Sequence, residues 1–199
     1  GLDRPTSGTV TINGTPYRRQ HRPLTEVGAL LEARSLHGGR TAYNHLLAIA
    51  QTNDIPRRRI DEVLELVGLT SVAKKRSGGF SLGMGQRLGI ATALLGDPKV
   101  MLLDEPVNGL DPEGILWVRN LLKNFASQGK TVLVSSHLMS EMALTAEHLI
   151  VIGRGRLIAN ASTAEVMALG SGAHVRVRSP QAAALADLIT KDAGTVSTE

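Results

Sequence analysis

Two adjacent carboxylates, Asp104 and Glu105, directly follow the apolar run of residues 100–103. An apolar run bounded by charge is typical of a strand buried on both faces of a parallel sheet. Its end lies at the carboxyl edge of the sheet, where α/β proteins bind ligands. Two neighbouring acids there favour a cation, so one carboxylate can hold Mg²⁺ while the next polarises a water for attack on a phosphoryl group. The alternative is an ordinary strand end with surface acids.

Two further polar side chains are predicted at the same edge. Asp111 ends a tight turn over residues 108–111, and His137 comes just past an apolar strand predicted over residues 130–135. A histidine there can donate to a phosphate or position a water. A lone histidine in this position would more often be structural, but beside an Asp-Glu pair the chemical interpretation is favoured.

Ser81 and Gly83 stand at the start of a predicted helix. The hydroxyl and the free backbone N–H groups of a helix start can bind an anion, aided by the helix dipole. The alternative is a simple serine N-cap, and for this motif alone that alternative is the stronger one.

The elements that must position these residues alternate between strand and helix. A half-buried strand is predicted over residues 9–13, and buried strands over residues 27–31, 100–103, 130–135 and 148–152. Amphipathic helices are predicted between residues 41 and 69, from about 84 to 95, after residue 112, and over 141–147. This alternation implies a parallel sheet with helices on its faces. A hairpin is predicted over residues 148–159, and a further strand and helix over 174–178 and 182–189.

The composition is that of a globular protein, and it argues against one kind of partner. Apolar residues make up 42% and charged residues 20% of the 199-residue chain, as in ordinary globular domains. The net charge of +4 is concentrated in residues 34–80, which hold eight Lys/Arg and four Asp/Glu. This basic patch suits an anionic partner or lipid surface, or is a solvated helical face. An aromatic content of 3% argues against a stacking surface for nucleic acid, so no nucleic-acid partner is expected.

Together these motifs resemble those of the ABC ATPase family, in particular its bacterial drug and peptide-antibiotic exporter branch. The resemblance extends from residue 1 to about residue 169. Within it, Asp104 corresponds to the Mg²⁺-binding Walker B aspartate, Glu105 to the catalytic glutamate and His137 to the switch histidine. Asp111 lies in the D-loop, and Ser81 and Gly83 lie in the signature motif, which in this family contacts the ATP held by the opposite subunit.

The resemblance also implies a fold and a division of the chain. We expect an α/β fold of the P-loop NTPase type: a mostly parallel sheet flanked by helices, with an inserted helical subdomain. Residues 1–32 would be a remnant of the ATPase core, 33–97 the helical subdomain with the signature motif, 98–169 the rest of the core, and 170–199 the start of a small C-terminal extension.

The chain departs from the family pattern at several positions. The P-loop and the adenine-stacking aromatic are absent, which predicts that the chain is an N-terminally truncated fragment, inactive by itself. Glu32 stands at the Q-loop position in place of glutamine; its carboxylate can still meet Mg²⁺ or water. Leu82 and Met84 replace a glycine and the glutamine of the signature motif.

The function implied is that of an ATP-hydrolysing subunit, with ATP and Mg²⁺ as cofactors, which powers export through a separate transmembrane permease. A second ATPase subunit would complete the ATP sandwich, and the location would be cytoplasmic, on the inner face of the cell membrane. The alternatives are a repair or translation-associated ABC ATPase and a non-catalytic binding module. The short stretch between Glu32 and Ser81 lacks the sustained heptads of repair ATPases.

Overall fold

The computed structural model describes residues 5–32 and 36–170, and beyond them only positions 181, 185, 186 and 188. The chain divides into two compact units between residues 145 and 146. No helix within the described ranges is long and apolar enough to span a membrane. The strand predicted over residues 174–178 and most of the extension predicted over 170–199 lie outside the described residues.

A three-stranded parallel sheet forms the centre of the first unit. Its strands are β1 (Val27–Leu30), β2 (Val100–Asp104) and β3 (Thr131–Ser135), side by side in that order. The register pairs Leu30 with Leu103, and Asp104 with Ser135. All three strands therefore end at one edge, as the sequence predicts for a parallel sheet.

The helices of the first unit supply most of its hydrophobic core. They are α1 (Pro23–Glu26), α2 (Ala42–Thr52), α3 (Arg58–Leu66), α4 (Leu82–Leu94), α5 (Pro112–Ser127) and α6 (Met139–Thr145). Helix α3 shows the expected amphipathic pattern, because Ile60, Val63 and Leu64 are fully buried on one face. Helices α2 to α5 share a single buried cluster with the sheet. The domain boundaries at residues 32/33 and 97/98 stay predictions.

The helical stretch predicted between residues 41 and 69 contains two helices, with a break after Thr52. Asp54 adopts a left-handed φ of 53° and Pro56 follows, and neither feature is compatible with a continuous α-helix. The hydroxyl of Thr41 caps α2 by accepting from the Asn44 N–H at 3.1 Å. Gly68, with a left-handed φ of 71°, follows the end of α3 and stops the helix.

The second unit contains a hairpin of β4 (His148–Gly153) and β5 (Arg156–Ser162), followed by α7 (Thr163–Gly170). The hairpin is confirmed. Arg154 and Gly155 have φ values of 50° and 71°, the signature of a mirror-image turn whose twist matches that of paired strands. Residues 148–152 are predicted as a strand of the parallel sheet, whereas within the described residues β4 pairs with β5 alone. The two-residue turn places β5 directly beside β4.

The strand predicted over residues 9–13 was wrong. The segment contains only an isolated bridge between Ile12 and Thr15, which closes a turn at Asn13 and Gly14. Val10 is 77% exposed. Alternation of apolar and polar residues stabilises a strand only when a neighbouring strand and a packed face accompany it, and the bridge supplies neither.

The glycine at position 28 permits the close approach of α4 to β1. A Cβ at Gly28 would lie 2.0 Å from the Ala93 carbonyl oxygen and 2.8 Å from Cγ of Pro98. We expect Gly28→Ala to lower the free energy of unfolding by about 1–3 kcal/mol, since the helix must shift away from the sheet. Gly79→Ala is the matched control, because no atom lies within 4 Å of its added Cβ. Equal urea midpoints for the two variants would contradict this packing.

A buried histidine joins α2 to α4 and gives stability a pH dependence. His45 is 9% exposed, and its Nε2 lies 3.2 Å from Oγ1 of Thr92. Burial, with a smaller contribution from the charge of Arg40, lowers the pKa of His45 below its ordinary value of 6.5. The folded state therefore binds fewer protons than the unfolded state, so the stability present above the unfolded pKa is lost as the pH falls below it.

We expect the free energy of unfolding to decrease between about pH 7 and pH 5, and His45→Gln to remove part of that decrease. Glutamine can still bond to Thr92 and does not titrate. Urea unfolding across this range compares the two proteins. Parallel pH profiles would mean that His45 is not responsible.

Candidate active site

The edge where β2 and β3 end brings together Asp104, Glu105, Ser135 and His137. Asp104 ends β2, and Glu105 follows it; Ser135 ends β3, and His137 comes two residues later. The sequence predicts that Asp104, Glu105 and His137 share this edge, and the structure places all three there.

The hydroxyl of Ser135 connects the two strand ends. It donates to Oδ1 of Asp104 and accepts from the backbone N–H of Glu105 at 3.0 Å. A serine hydroxyl has one proton and two lone pairs, so it can make both bonds at once. The two carboxylate-bearing residues are thus fixed to the neighbouring strand.

Glu105 and His137 form a direct pair. Nδ1 of His137 lies 2.9 Å from Oε1 of Glu105, and the side chains are 65% and 29% exposed, respectively. Oε2 of Glu105 is buried and has no hydrogen-bond partner among the described residues. A buried carboxylate oxygen without a donor is costly, and no described residue compensates this one.

Glu105 also has an unusual backbone. Its φ of 47° is left-handed, a conformation that costs a residue with a Cβ about 1–3 kcal/mol and is concentrated at functional sites. Gln86 of α4 is only 2% exposed, and its Nε2 donates to the Glu105 carbonyl oxygen at 3.3 Å.

Sequence reasoning missed Ser135 and Gln86. Ser135 stands two residues before His137, and its relation to Asp104 follows only from the register of β2 and β3. Gln86 lies within an apolar helix, where no pattern signals a role. Its contact with Glu105 depends on how α4 packs against the rest of the first unit.

Glu32 lies two residues beyond the end of β1, exposed and at the same edge as Asp104. Within the described residues no group of three or more His, Cys, Asp or Glu could hold a metal ion. Mg²⁺ takes oxygen ligands and commonly uses only one or two carboxylates together with substrate phosphates. The oxygen-rich edge with Asp104 fits such an ion; metal binding by Asp104 and Glu32 stays a prediction.

Ser81 and Asp111 both act as helix N-caps. Oγ of Ser81 accepts from the Met84 N–H at 3.2 Å, and Oδ1 of Asp111 accepts from the Gly114 N–H at 2.9 Å. A Cβ at Gly83 would lie 3.4 Å from Cδ2 of Leu110, so the start of α4 meets the turn that precedes Asp111. Nucleotide contacts by Ser81, Gly83 and Asp111 stay predictions.

Part of the basic patch has a structural role. Arg59 bonds to Glu62 at 2.8 Å and to the Leu94 carbonyl oxygen at 3.1 Å, and lies 3.7 Å from Asp97. Lys130 also binds the Asp97 carboxylate, and its hydrogen bond is the main cause that holds the pKa of Asp97 below its usual value. Arg59 therefore joins α3 to the end of α4.

Comparison with known proteins gives one family. Residues 1–108 match the family model described as ABC transporter. The chain is 42% identical over 161 residues to a bacitracin transport ATP-binding protein, BcrA, of Bacillus licheniformis, a match that covers 79% of this chain and 53% of that protein. It is 37% identical to a lantibiotic transport ATP-binding protein, SrtF, of Streptococcus pyogenes, covering 79% of this chain and 68% of that one. The chain spans about half the length of the bacitracin protein.

Solved structures agree with the fold. The cbiO1 subunit of the Clostridium perfringens cbiONQ transporter complex superposes with a TM-score of 0.70 at 25% identity, covering 84% of this chain and 71% of that one. An ATP-binding cassette solved as a dimer in a post-hydrolysis state gives a TM-score of 0.71 at 24% identity, with 81% and 76% covered. The α/β fold of a P-loop NTPase, predicted from the motifs, is confirmed.

The contribution of Asp111 as a helix cap can be measured separately from any contact with nucleotide. We expect Asp111→Ala to lower the free energy of unfolding of the chain by about 1 kcal/mol, because the Gly114 N–H loses its acceptor. Asp111→Ser should retain most of the stability, since serine is also a good N-cap. Urea unfolding without nucleotide measures both. An equal loss in the two variants would show that the carboxylate acts in some other way.

Proposed function

The chain belongs to the ABC transporter family, and on this premise we propose that it is the catalytic part of an ATP-hydrolysing subunit that powers export of a drug, peptide antibiotic or other small molecule through a separate membrane permease. Two relatives support this proposal, since they are ATP-binding proteins of bacitracin and lantibiotic transport. The subunit would work in the cytoplasm, on the inner face of the membrane, as one half of a dimer that encloses ATP between Ser81 and Gly83 of one subunit and the site of the other.

The observation that carries the proposal is the pair of Glu105 and His137. In hydrolysis, Glu105 would accept the proton of the attacking water through its carboxylate, as a general base. His137 bonds to one oxygen, 2.9 Å away, and leaves the other for the water. Oε2 has no partner among the described residues, so its lone pairs are not committed to another donor, and it could accept that proton once the site opens to water.

The ring of His137 limits what else it can do. An ionised carboxylate only accepts hydrogen bonds, so Nδ1 must carry the proton that faces Glu105. In a neutral ring, Nε2 then has a lone pair and cannot donate to a phosphate. In the imidazolium form both nitrogens donate, so His137 can hold Glu105 and a phosphate oxygen together only when it is protonated.

Asp104 and Glu32 are the residues of this edge that would hold Mg²⁺, which neutralises charge on the ATP phosphates when it is bound. The bond from Ser135 directs one oxygen of Asp104 toward β3 and leaves the other open. No Gly-x-x-x-x-Gly-Lys-Ser/Thr motif, whose backbone N–H groups cradle phosphates, occurs in the 199 residues.

Turnover by the full-length protein, produced from the complete reading frame, tests the assignment. We expect Glu105→Gln to lower phosphate release by about a hundredfold or more while ATP binding persists, because the amide cannot accept the proton. His137→Ala should lower turnover too, because Glu105 loses the group that orients it. Phosphate release and binding of a fluorescent ATP analogue measure the two properties.

Glu113→Gln, in the exposed first turn of α5, is the matched control and should leave turnover unchanged. Near-normal turnover in Glu105→Gln would overturn the assignment of the base. An absence of ATP hydrolysis in the unaltered full-length protein would favour a non-catalytic binding module.

A further inference from the structure

The backbone of Glu105 has a conformation that its own side chain disfavours. Glutamate has a Cβ and seldom adopts a left-handed φ, yet Glu105 has a φ of 47° directly after an extended strand. This turn of the chain directs the Glu105 side chain toward His137. If the backbone relaxed to an ordinary conformation, the Cα–Cβ bond would point elsewhere and the carboxylate would leave its place.

Both hydrogen-bonding groups of the Glu105 backbone are held by side chains from other elements. Its N–H donates to Oγ of Ser135, at the end of β3, at 3.0 Å. Its carbonyl oxygen accepts from Nε2 of Gln86, in α4, at 3.3 Å, in addition to a local bond from the Asn108 N–H at 3.2 Å. The two side-chain partners lie 30 and 19 residues away in the chain, so neither of their bonds is a local turn contact.

Gln86 is unusual for its position. It is 2% exposed and lies among fully buried apolar residues of α4, such as Leu88 and Ile90. A polar side chain in such surroundings costs stability unless it is hydrogen-bonded, and an apolar residue of similar size would pack there at no such cost. The bond to the Glu105 carbonyl gives this glutamine a purpose that packing does not.

We propose that Gln86 and Ser135 are positioning residues, which hold the Glu105 backbone in its left-handed conformation and so keep its carboxylate beside His137. This inference rests on the proposed function, because it takes Glu105 as the base. It assigns the alignment of the base to two residues that touch only its main chain. Gln86 is the cleaner probe of the two, since Ser135 also bonds to Asp104.

The first test is Gln86→Met in the full-length protein. Methionine keeps the length and helix preference of glutamine but has no donor for the Glu105 carbonyl. We expect turnover at saturating ATP to fall by about tenfold to a hundredfold, as when a catalytic group is displaced by about an ångström. The KM for ATP and the binding of a fluorescent ATP analogue should change little.

The second test combines Gln86→Met with Glu105→Gln. If Gln86 acts through the carboxylate of Glu105, its substitution should lower turnover no further once that carboxylate is gone. If Gln86 serves only the general stability of α4, the two losses should multiply. The unfolding midpoint of each variant establishes that the proteins are folded under the assay conditions.

Variants of Ser135 provide an independent test of the same proposal. Ser135→Ala should lower turnover, and Ser135→Thr, which keeps the hydroxyl, should recover most of it. Ser127→Ala is the matched control, because its hydroxyl bonds only to the Asn124 carbonyl oxygen within α5.

A failure of the positioning role and a failure of the proposed function would give different results. Normal turnover in folded Gln86→Met, or multiplying losses in the double variant, would overturn the positioning role while Glu105→Gln still shows the base to be correct. Normal turnover in Glu105→Gln would instead overturn the proposed function.

Discussion

The candidate site depends on the register of two parallel strands, β2 and β3. That register sets Asp104 opposite Ser135, so that one hydroxyl can bond to the Asp104 carboxylate and to the Glu105 N–H. A shift by one residue would turn the Ser135 side chain to the other face of the sheet, because side chains alternate along a strand. The connection between the two acids and the third strand would then be lost.

Helix α4 connects the core to the site in a second way. Its close contact with β1 at Gly28 fixes the helix against the sheet, and Gln86 reaches from it to the Glu105 carbonyl oxygen. The same helix begins at Ser81, whose hydroxyl caps it. Ser81, which caps the helix, and Gln86, which bonds to the Glu105 carbonyl oxygen, therefore belong to one element and lie five positions apart in the sequence. A displacement of α4 would move Gln86 and so disturb its bond to the Glu105 carbonyl oxygen.

Two helices, α5 and α6, hold the chain segments that leave the sheet at this edge. Asp111 caps α5, and Arg119 of α5 bonds to Glu141 of α6 at 2.6 Å, with both side chains mostly buried. His137 stands two residues before α6. The ion pair ties the helix that follows Glu105 to the helix that follows His137, and so limits how far the two side chains can separate. Oxygen-bearing side chains at helix starts serve here as caps, the role that also makes Ser81 ambiguous in the sequence.

The sequence alone determined the strand–helix order, the shared edge of Asp104, Glu105 and His137, and the hairpin with its turn at Arg154 and Gly155, because these follow from local hydrophobic patterns and from the direction of parallel strands. It failed over residues 9–13, where the alternating pattern has no strand to pair with in the part of the chain that the structure describes. Only the tertiary structure decided the left-handed backbone of Glu105 and its bonds to Gln86 and Ser135. Those bonds join residues far apart in the chain, and they exist because packing brings α4 and β3 to the end of β2, which no local pattern encodes.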